Sequence, residues 1–193
     1  MLLGLLNTMP DILQFLQSRN SAPRLTDPAP DADQTAELVC AALRAPDHAW
    51  LRPWRFISIR GERREDFGEV LERCLLSRDP TADSSVRERA RAAPLRAPLL
   101  MVVVATLREH PKVPFAEQRL SAGCAAHAIL LAAESLGYAG IWRTGDAASD
   151  PSVRGALGLE THEEVVAFLY LGTRDSNPKN LPALDPDDFL SSW

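Results

Sequence analysis

Leu99-Leu100-Met101-Val102-Val103-Val104-Ala105 is a run of seven apolar residues, three of them successive valines, closed on its N-terminal side by Pro98. A continuous β-branched stretch without polar alternation reads as a strand buried on both faces. Residues 165–171 repeat the pattern and stop at Gly172. Residues 54–60, with Phe56, Ile57 and Ile59, give a further strand, and residues 140–143 a short one. Helical periodicity fills the intervals. It predicts helices over 11–18, with Pro10 and Asp11 in the first turn, and over 34–44, entered through Asp33 as N-cap and stopped by Ala45-Pro46. Residues 62–76 place Phe67, Val70, Leu71, Cys74 and Leu75 on one stripe, and 84–93 form an arginine-rich, exposed helix. Residues 117–136 are the longest helical candidate, and Asp150-Pro151 opens the last. The order α, α, β, α, α, β, α, β, α, β does not alternate as a doubly wound sheet requires. The fold class is α+β.

The chain has 193 residues, 46% of them apolar and 24% charged, which suits one globular domain. It carries 21 basic and 26 acidic residues, a net charge of −5, and so offers no global attraction to nucleic acid or anionic lipid. Only Lys112 and Lys179 are lysines, so 19 of the 21 basic residues are arginines, a skew that reads mostly as bias on exposed faces. Cys40, Cys74 and Cys124 lie far apart without a CxxC and read as buried free thiols in a reducing compartment. Residues 1–9 form an N-terminal extension too short for a membrane span and wrongly flanked for a signal peptide, so a cytoplasmic location is expected. Residues 10–193 form the single domain. Its proline-rich tail, about 177–193, ends in Phe189, Leu190 and Trp193 and needs a surface to lie against.

No phosphate loop, dinucleotide fingerprint, nucleophile elbow or zinc motif is present, and the four histidines show no metal spacing. Three clusters stand out. Residues 18–24 put Arg19, Asn20, Ser21 and Arg24 just past a helix, a mixture of guanidinium forks and short donors that suits a phosphate, although a solvated turn has the same composition. Residues 44–55 pack two tryptophans, His48 and three arginines into one proline-rich loop, which suits a flat, electron-rich or anionic ligand. Structurally, Arg44 also suits a helix C-terminus, and Trp50 and Trp54 suit a core. Residues 140–146 are a strand ending in a Trp-Arg-Thr-Gly turn, where Gly145 admits close backbone approach.

Together these segments, RNSAPRL (19–25), LRAPDH (43–48), RPWRF (52–56), RAPLL (96–100), HPKVP (110–114), SAGCA (121–125), GIWRTG (140–145) and FLYLGT (168–173), resemble the nitroreductase family of FMN-dependent oxidoreductases, in its compact bacterial NAD(P)H nitroreductase branch. The resemblance implies a central mixed or antiparallel sheet flanked by helices, in an intertwined homodimer with one non-covalent FMN in each of two sites at the subunit interface. It implies that Arg19, Asn20 and Ser21 contact phosphate and ribityl, that Arg44 and His48 reach the FMN of the partner subunit, and that Trp142, Arg143 and Thr144 lie beside the flavin. Residues 132–137 are similar to a stretch linked with the nicotinamide. The small residues Gly123, Cys124, Ala125, Ala126 and Ala128 fit a dimer seam, and His127 there reads as a core or interface histidine. The family commonly has arginine at Asn20 and serine at Pro23, so Arg24 or Arg143 is expected to complete phosphate neutralisation.

The implied activity is ping-pong transfer of hydride from NADH or NADPH through FMN N5 to nitroaromatic, quinone or similar electron-poor small molecules. No catalytic side chain and no metal are expected, since the flavin carries the electron chemistry. The alternatives are a flavin-binding or interaction protein with little turnover, or another FMN-dependent reduction such as dehalogenation or enoate reduction.

Overall fold

The structure, a computed structural model, describes residues 12–193. The extension over 1–9 and the start of the first helix at Pro10-Asp11 lie outside the described residues. Five strands, β1 (Leu25–Thr26), β2 (Trp54–Arg60), β3 (Leu99–Thr106), β4 (Ala139–Arg143) and β5 (Glu163–Arg174), form one sheet in which every pairing is antiparallel. The twelve residues of β5 are its spine: β3 pairs along Glu163 to Leu171, β4 along Phe168 to Gly172, and β1 at Thr173 and Arg174. β2 pairs only with β3, from Trp54↔Ala105 to Arg60↔Leu99.

The apolar run over residues 99–105 is buried along its whole length, and the period-2 rule divides it between two cores. Leu99, Met101, Val103 and Ala105 pack beneath α2 (Ala32–Ala42) and α5 (Phe115–Ser135), with Ala125, Ala126, Ile129 and Ala133 of α5 above them. Leu100, Val102 and Val104 face the other way, toward α3 (Arg63–Arg78) and α6 (Pro151–Ala156), through Phe67, Val70, Cys74 and Val153. Burial of each such side chain is worth about 1.5–3 kcal/mol, so a strand lined on both faces anchors two layers at once. α4 (Ser84–Arg91) has no buried residue and packs on α3, and α1 (Ile12–Ser18) likewise buries none.

The structure departs locally from the sequence expectations. The N-cap of α2 is Asp31, not Asp33. Asp31 accepts from the Gln34 backbone N–H at 2.9 Å while the Gln34 side chain accepts from the Asp31 N–H at 3.1 Å. This reciprocal box satisfies two donors, and Asp33 falls in the first turn, where it meets only the helix dipole. The thiols also divide. Cys74 is buried, but Cys40 and Cys124 are exposed, on the sides of α2 and α5 that face away from the sheet. The arginines of α4 are exposed, yet Arg87 and Arg91 are not idle: both donate to the carboxylate of buried Glu72 on α3. Among the described residues, no helix is long and apolar enough to cross a membrane.

Candidate functional site

β4 divides the candidate site. Gly140 and Trp142 face α5: a Cβ on Gly140 would lie 2.7 Å from Leu130 Cδ2, so glycine is what lets α5 approach, and Trp142 packs over Gly123. Ile141 and Arg143 face the α3 side. Neighbours in sequence thus serve opposite faces of the sheet.

On the α5 face a cavity of about 900 Å3 brings Arg44 at the end of α2 together with Trp142, and with Arg119, Cys124 and His127 of α5. Leu120 on its rim is 70% exposed. The small residues of α5 split in the same way: Ala125 and Ala126 are fully buried against the sheet, while Gly123, Cys124 and Ala128 line this open side. His127 is exposed in the single chain and is no core histidine.

On the other face, Arg143 and Arg96 lie between two cavities of about 440 and 490 Å3, the first also lined by Thr144, Gly145 and Tyr170, the second by Pro23 and Arg24. The Arg143 Nε is buried and has no hydrogen-bond partner among the described residues, and the guanidinium sits 5.7 Å from the Tyr170 ring centroid. Burial pushes the Tyr170 hydroxyl above its usual pKa, with Arg143 and Arg96 pulling the other way. Two guanidiniums on one cavity wall, one with an unsatisfied buried donor, make a ready partner for an anion or an acceptor-rich edge.

Residues 19–22 run beside β4, where the Ala22 N–H donates to the Gly140 carbonyl at 3.0 Å. Arg19 Nη1 donates to Ser21 Oγ at 3.4 Å. Asn20 is buried and engaged: its Nδ2 donates to the Lys179 carbonyl at 2.6 Å, and its own carbonyl accepts from Arg174 at 2.8 Å. Asn20 therefore ties the C-terminal tail to this segment and brings Arg174 beside it, where Arg174 also faces Glu134 at 3.9 Å. Sequence reasoning missed Arg174, although it lies one residue past the FLYLGT motif.

Residues 46–53 form the third part. His48 Nδ1 meets Glu117 Oε2 at 2.9 Å, and the Ser121 hydroxyl donates to the Pro46 carbonyl, so α5 holds the loop at two points. Asp47 accepts from the backbone N–H of Leu51 (3.1 Å) and of Arg52 (2.8 Å). Ala49, Trp50 and Arg52 all have left-handed φ, at 61°, 55° and 49°. Trp54 is buried and Trp50 is exposed, so one tryptophan is core and the other is not.

Within one chain, then, Arg44 and Trp142 meet, Arg143 and Thr144 meet, and Arg19, Asn20 and Ser21 meet beside β4. His48 stands apart on the loop. The tail residues Leu181, Leu184, Phe189, Leu190 and Trp193 are all exposed.

The nitroreductase family model matches residues 16–173. The chain is 44% identical over 184 residues, 94% of its length and 98% of the relative's, to the Escherichia coli (strain K12) protein named "Putative NAD(P)H nitroreductase YdjA". In fold it is similar to a nitroreductase-like family protein from Bacillus cereus, with TM-score 0.82 at 21% identity, covering 96% of this chain and 97% of that one. A nitroreductase with bound FMN from Bacteroides fragilis superposes with TM-score 0.72 at 21% identity, over 96% and 100% of the two chains. A family model spanning all three clusters, a relative this similar over its full length and the antiparallel α+β sheet agree: the chain belongs to the nitroreductase family.

Proposed function

We propose that the protein is a homodimeric FMN-dependent NAD(P)H oxidoreductase that reduces nitroaromatic, quinone or similar electron-poor molecules in the cytoplasm. The observation that carries this reading is Arg143 at the end of β4, whose buried Nε lacks a partner among the described residues and which shares a cavity wall with Pro23 and Arg24, just past the Arg19–Ser21 segment. Its donors fit the acceptor-rich edge of a flavin ring, and the Arg19 and Ser21 cluster, with Arg174 drawn in by Asn20, fits a phosphate. When bound, FMN supplies the acceptance and release of hydride.

The chain's residues bind and orient. Arg19 and Ser21 hold the phosphate, with Asn20 keeping the tail in place beside them. Arg143, supported by Arg96, donates to the ring's polar edge and favours negative charge there. Thr144 and Gly145 bring backbone close to the ring, and Trp142, on the other face of β4, lines the α5-side cavity with Arg44. Arg44 and His48 of one subunit complete the site of the other. The open α5 face and the apolar tail, residues 177–193, supply the dimer surface, with Leu120, Leu181, Leu184, Phe189 and Leu190 exposed in the single chain.

The purified protein is expected to be yellow, to lose its flavin absorption under anaerobic NADH or NADPH, and to regain it on addition of a nitroaromatic or quinone. A colourless protein that takes up no added FMN defeats the proposal. FMN uptake without reduction by either nicotinamide leaves a binding protein on the same scaffold.

A further inference from the structure

A cavity of about 480 Å3 beside the 46–53 loop is lined by Arg44, Asp47, Trp50, Arg52 and Trp54. Trp54 is 8% exposed, and its indole N–H is buried without an acceptor among the described residues. Native proteins leave few buried donors unsatisfied, and each demands an explanation. Neither Arg44 nor Arg52 has a hydrogen bond or ion pair through its side chain among the described residues. Asp47, the one carboxylate in the lining, is spent on the backbone N–H groups of Leu51 and Arg52. Those two bonds, with the α5 contacts at Pro46 and His48, hold Ala49, Trp50 and Arg52 in left-handed backbone that non-glycine residues seldom adopt. The strain keeps Trp50 81% exposed at the cavity rim.

The wall therefore offers one bare indole face, the Arg52 guanidinium and one indole donor, both without a side-chain partner among the described residues, and its one carboxylate is already engaged by Leu51 and Arg52. A polyphosphate would gain little from the indole face. A flat aromatic ring bearing an anionic group uses every element: the ring stacks on Trp50, the anion pairs with Arg52, and Trp54 Nε1 donates to a further acceptor atom.

We propose that this cavity is the recognition site for an aromatic carboxylate, the electron acceptor of the reaction. This rests on the oxidoreductase reading above, in which Arg44 and His48 of the same loop reach the partner's FMN, so that each subunit offers its cavity at the other's site. For 4-nitrobenzoate the net step is balanced by one NAD(P)H and one solvent proton: the nitro group gains two electrons and two protons, giving 4-nitrosobenzoate, water and NAD(P)+.

Calorimetric titration of the protein as purified, with its flavin content recorded, tests the site. Trp50→Ala is expected to weaken 4-nitrobenzoate and uncharged nitrobenzene alike, about tenfold. Arg52→Ala is expected to weaken 4-nitrobenzoate about tenfold and nitrobenzene less than twofold, with Trp50→Phe and Arg52→Lys recovering most of the loss; thermal melts confirm folding. The proposal is overturned if the wild type gives no saturable 4-nitrobenzoate binding or if Arg52→Ala binds it as the wild type does. It is equally overturned if Trp50→Ala dissociates the dimer while Arg52→Ala leaves binding intact, which makes Trp50 an assembly anchor. Binding that depends on both residues without any NAD(P)H-driven reduction defeats the oxidoreductase reading and leaves the carboxylate site standing.

Discussion

Arg143 holds a position that a purely structural residue would not. Its Nε is buried without a partner among the described residues, so the guanidinium contributes its cation–π contact with Tyr170, about 1 kcal/mol, against the cost of partial desolvation. Arg143→Met keeps the apolar stem and removes the unmet donors. The melting temperature of the FMN-free protein is expected to hold or rise, while FMN affinity falls at least tenfold in a flavin-fluorescence titration; a large loss of stability would mark Arg143 as structural instead. Glu163 shows the opposite economy. Arg55 donates to both of its oxygens, at 2.6 and 2.7 Å, and holds its pKa at about 2, below the usual carboxylate value of 4.5. A depressed folded-state pKa contributes stability that is present above 4.5 and lost as pH falls toward 2. Because Arg55 is 37% exposed, the contribution is about 2 kcal/mol rather than the full shift. Glu163→Gln should therefore be less stable than the wild type at pH 7, with the gap closing between pH 4.5 and 2 in denaturant titrations. Neither partnership was legible in the sequence: Arg55 and Glu163 are 108 residues apart, and only the strand pairing brings them together. The site motifs were readable because each is contiguous. What they did not reveal was orientation, since whether Trp142 and Arg143 share a ligand depends on which face of β4 each side chain takes.

At the level of elements, the strands were the most readable part, because an uninterrupted β-branched run has few alternatives. The limits of β2 and the burial of β3 follow directly from composition. Helix ends were less so, and capping decided them, as Asp31 shows. The packing of α4 on α3 was not readable at all. Seen alone, α4 is a polar helix with no buried residue; in the fold, Arg87 and Arg91 converge on Glu72, and Gly68 of α3 lies directly beneath the chain at Arg91. This contact reverses a familiar rule. Glycine within a helix normally costs about 1 kcal/mol relative to alanine, so Gly68→Ala in an open setting would stabilise α3. Here the added Cβ would lie 2.2 Å from the Arg91 carbonyl oxygen, a backbone atom that cannot rotate away. Gly68→Ala should destabilise by about 1–3 kcal/mol in urea titration, and hydrogen exchange should show the loss concentrated in α4. A neutral or stabilising outcome would mean that α4 is not held against α3 in solution.

For the whole molecule, the single chain completes its own core, while the proposed cofactor site draws on a second chain. Both faces of β3 are sealed, yet Arg44 and His48 stand away from the Arg19–Ser21 cluster, and the outer side of α5 is open. Composition showed that α5 is dense in small apolar residues; it did not show that Ala125 and Ala126 serve the sheet while Gly123, Cys124 and Ala128 face outward, because a helix that is apolar all round lacks a stripe to read. Leu120 tests the assembly. It is 70% exposed, so Leu120→Asp removes little from the core and should leave the chain's melting temperature within a few degrees of the wild type at low concentration. In a dimer seated on this face, each subunit would bury a carboxylate against its partner's apolar surface, at several kcal/mol for the pair. Light scattering should then report a monomer at micromolar concentration. If Arg44 and His48 act across the interface, FMN affinity must fall with the dimer, although Leu120 itself touches no phosphate. The two losses should share one dependence on protein concentration, recovering together as mass action restores the dimer. A monomeric variant that still binds FMN as the wild type does would place the whole cofactor site within one chain and remove Arg44 and His48 from it.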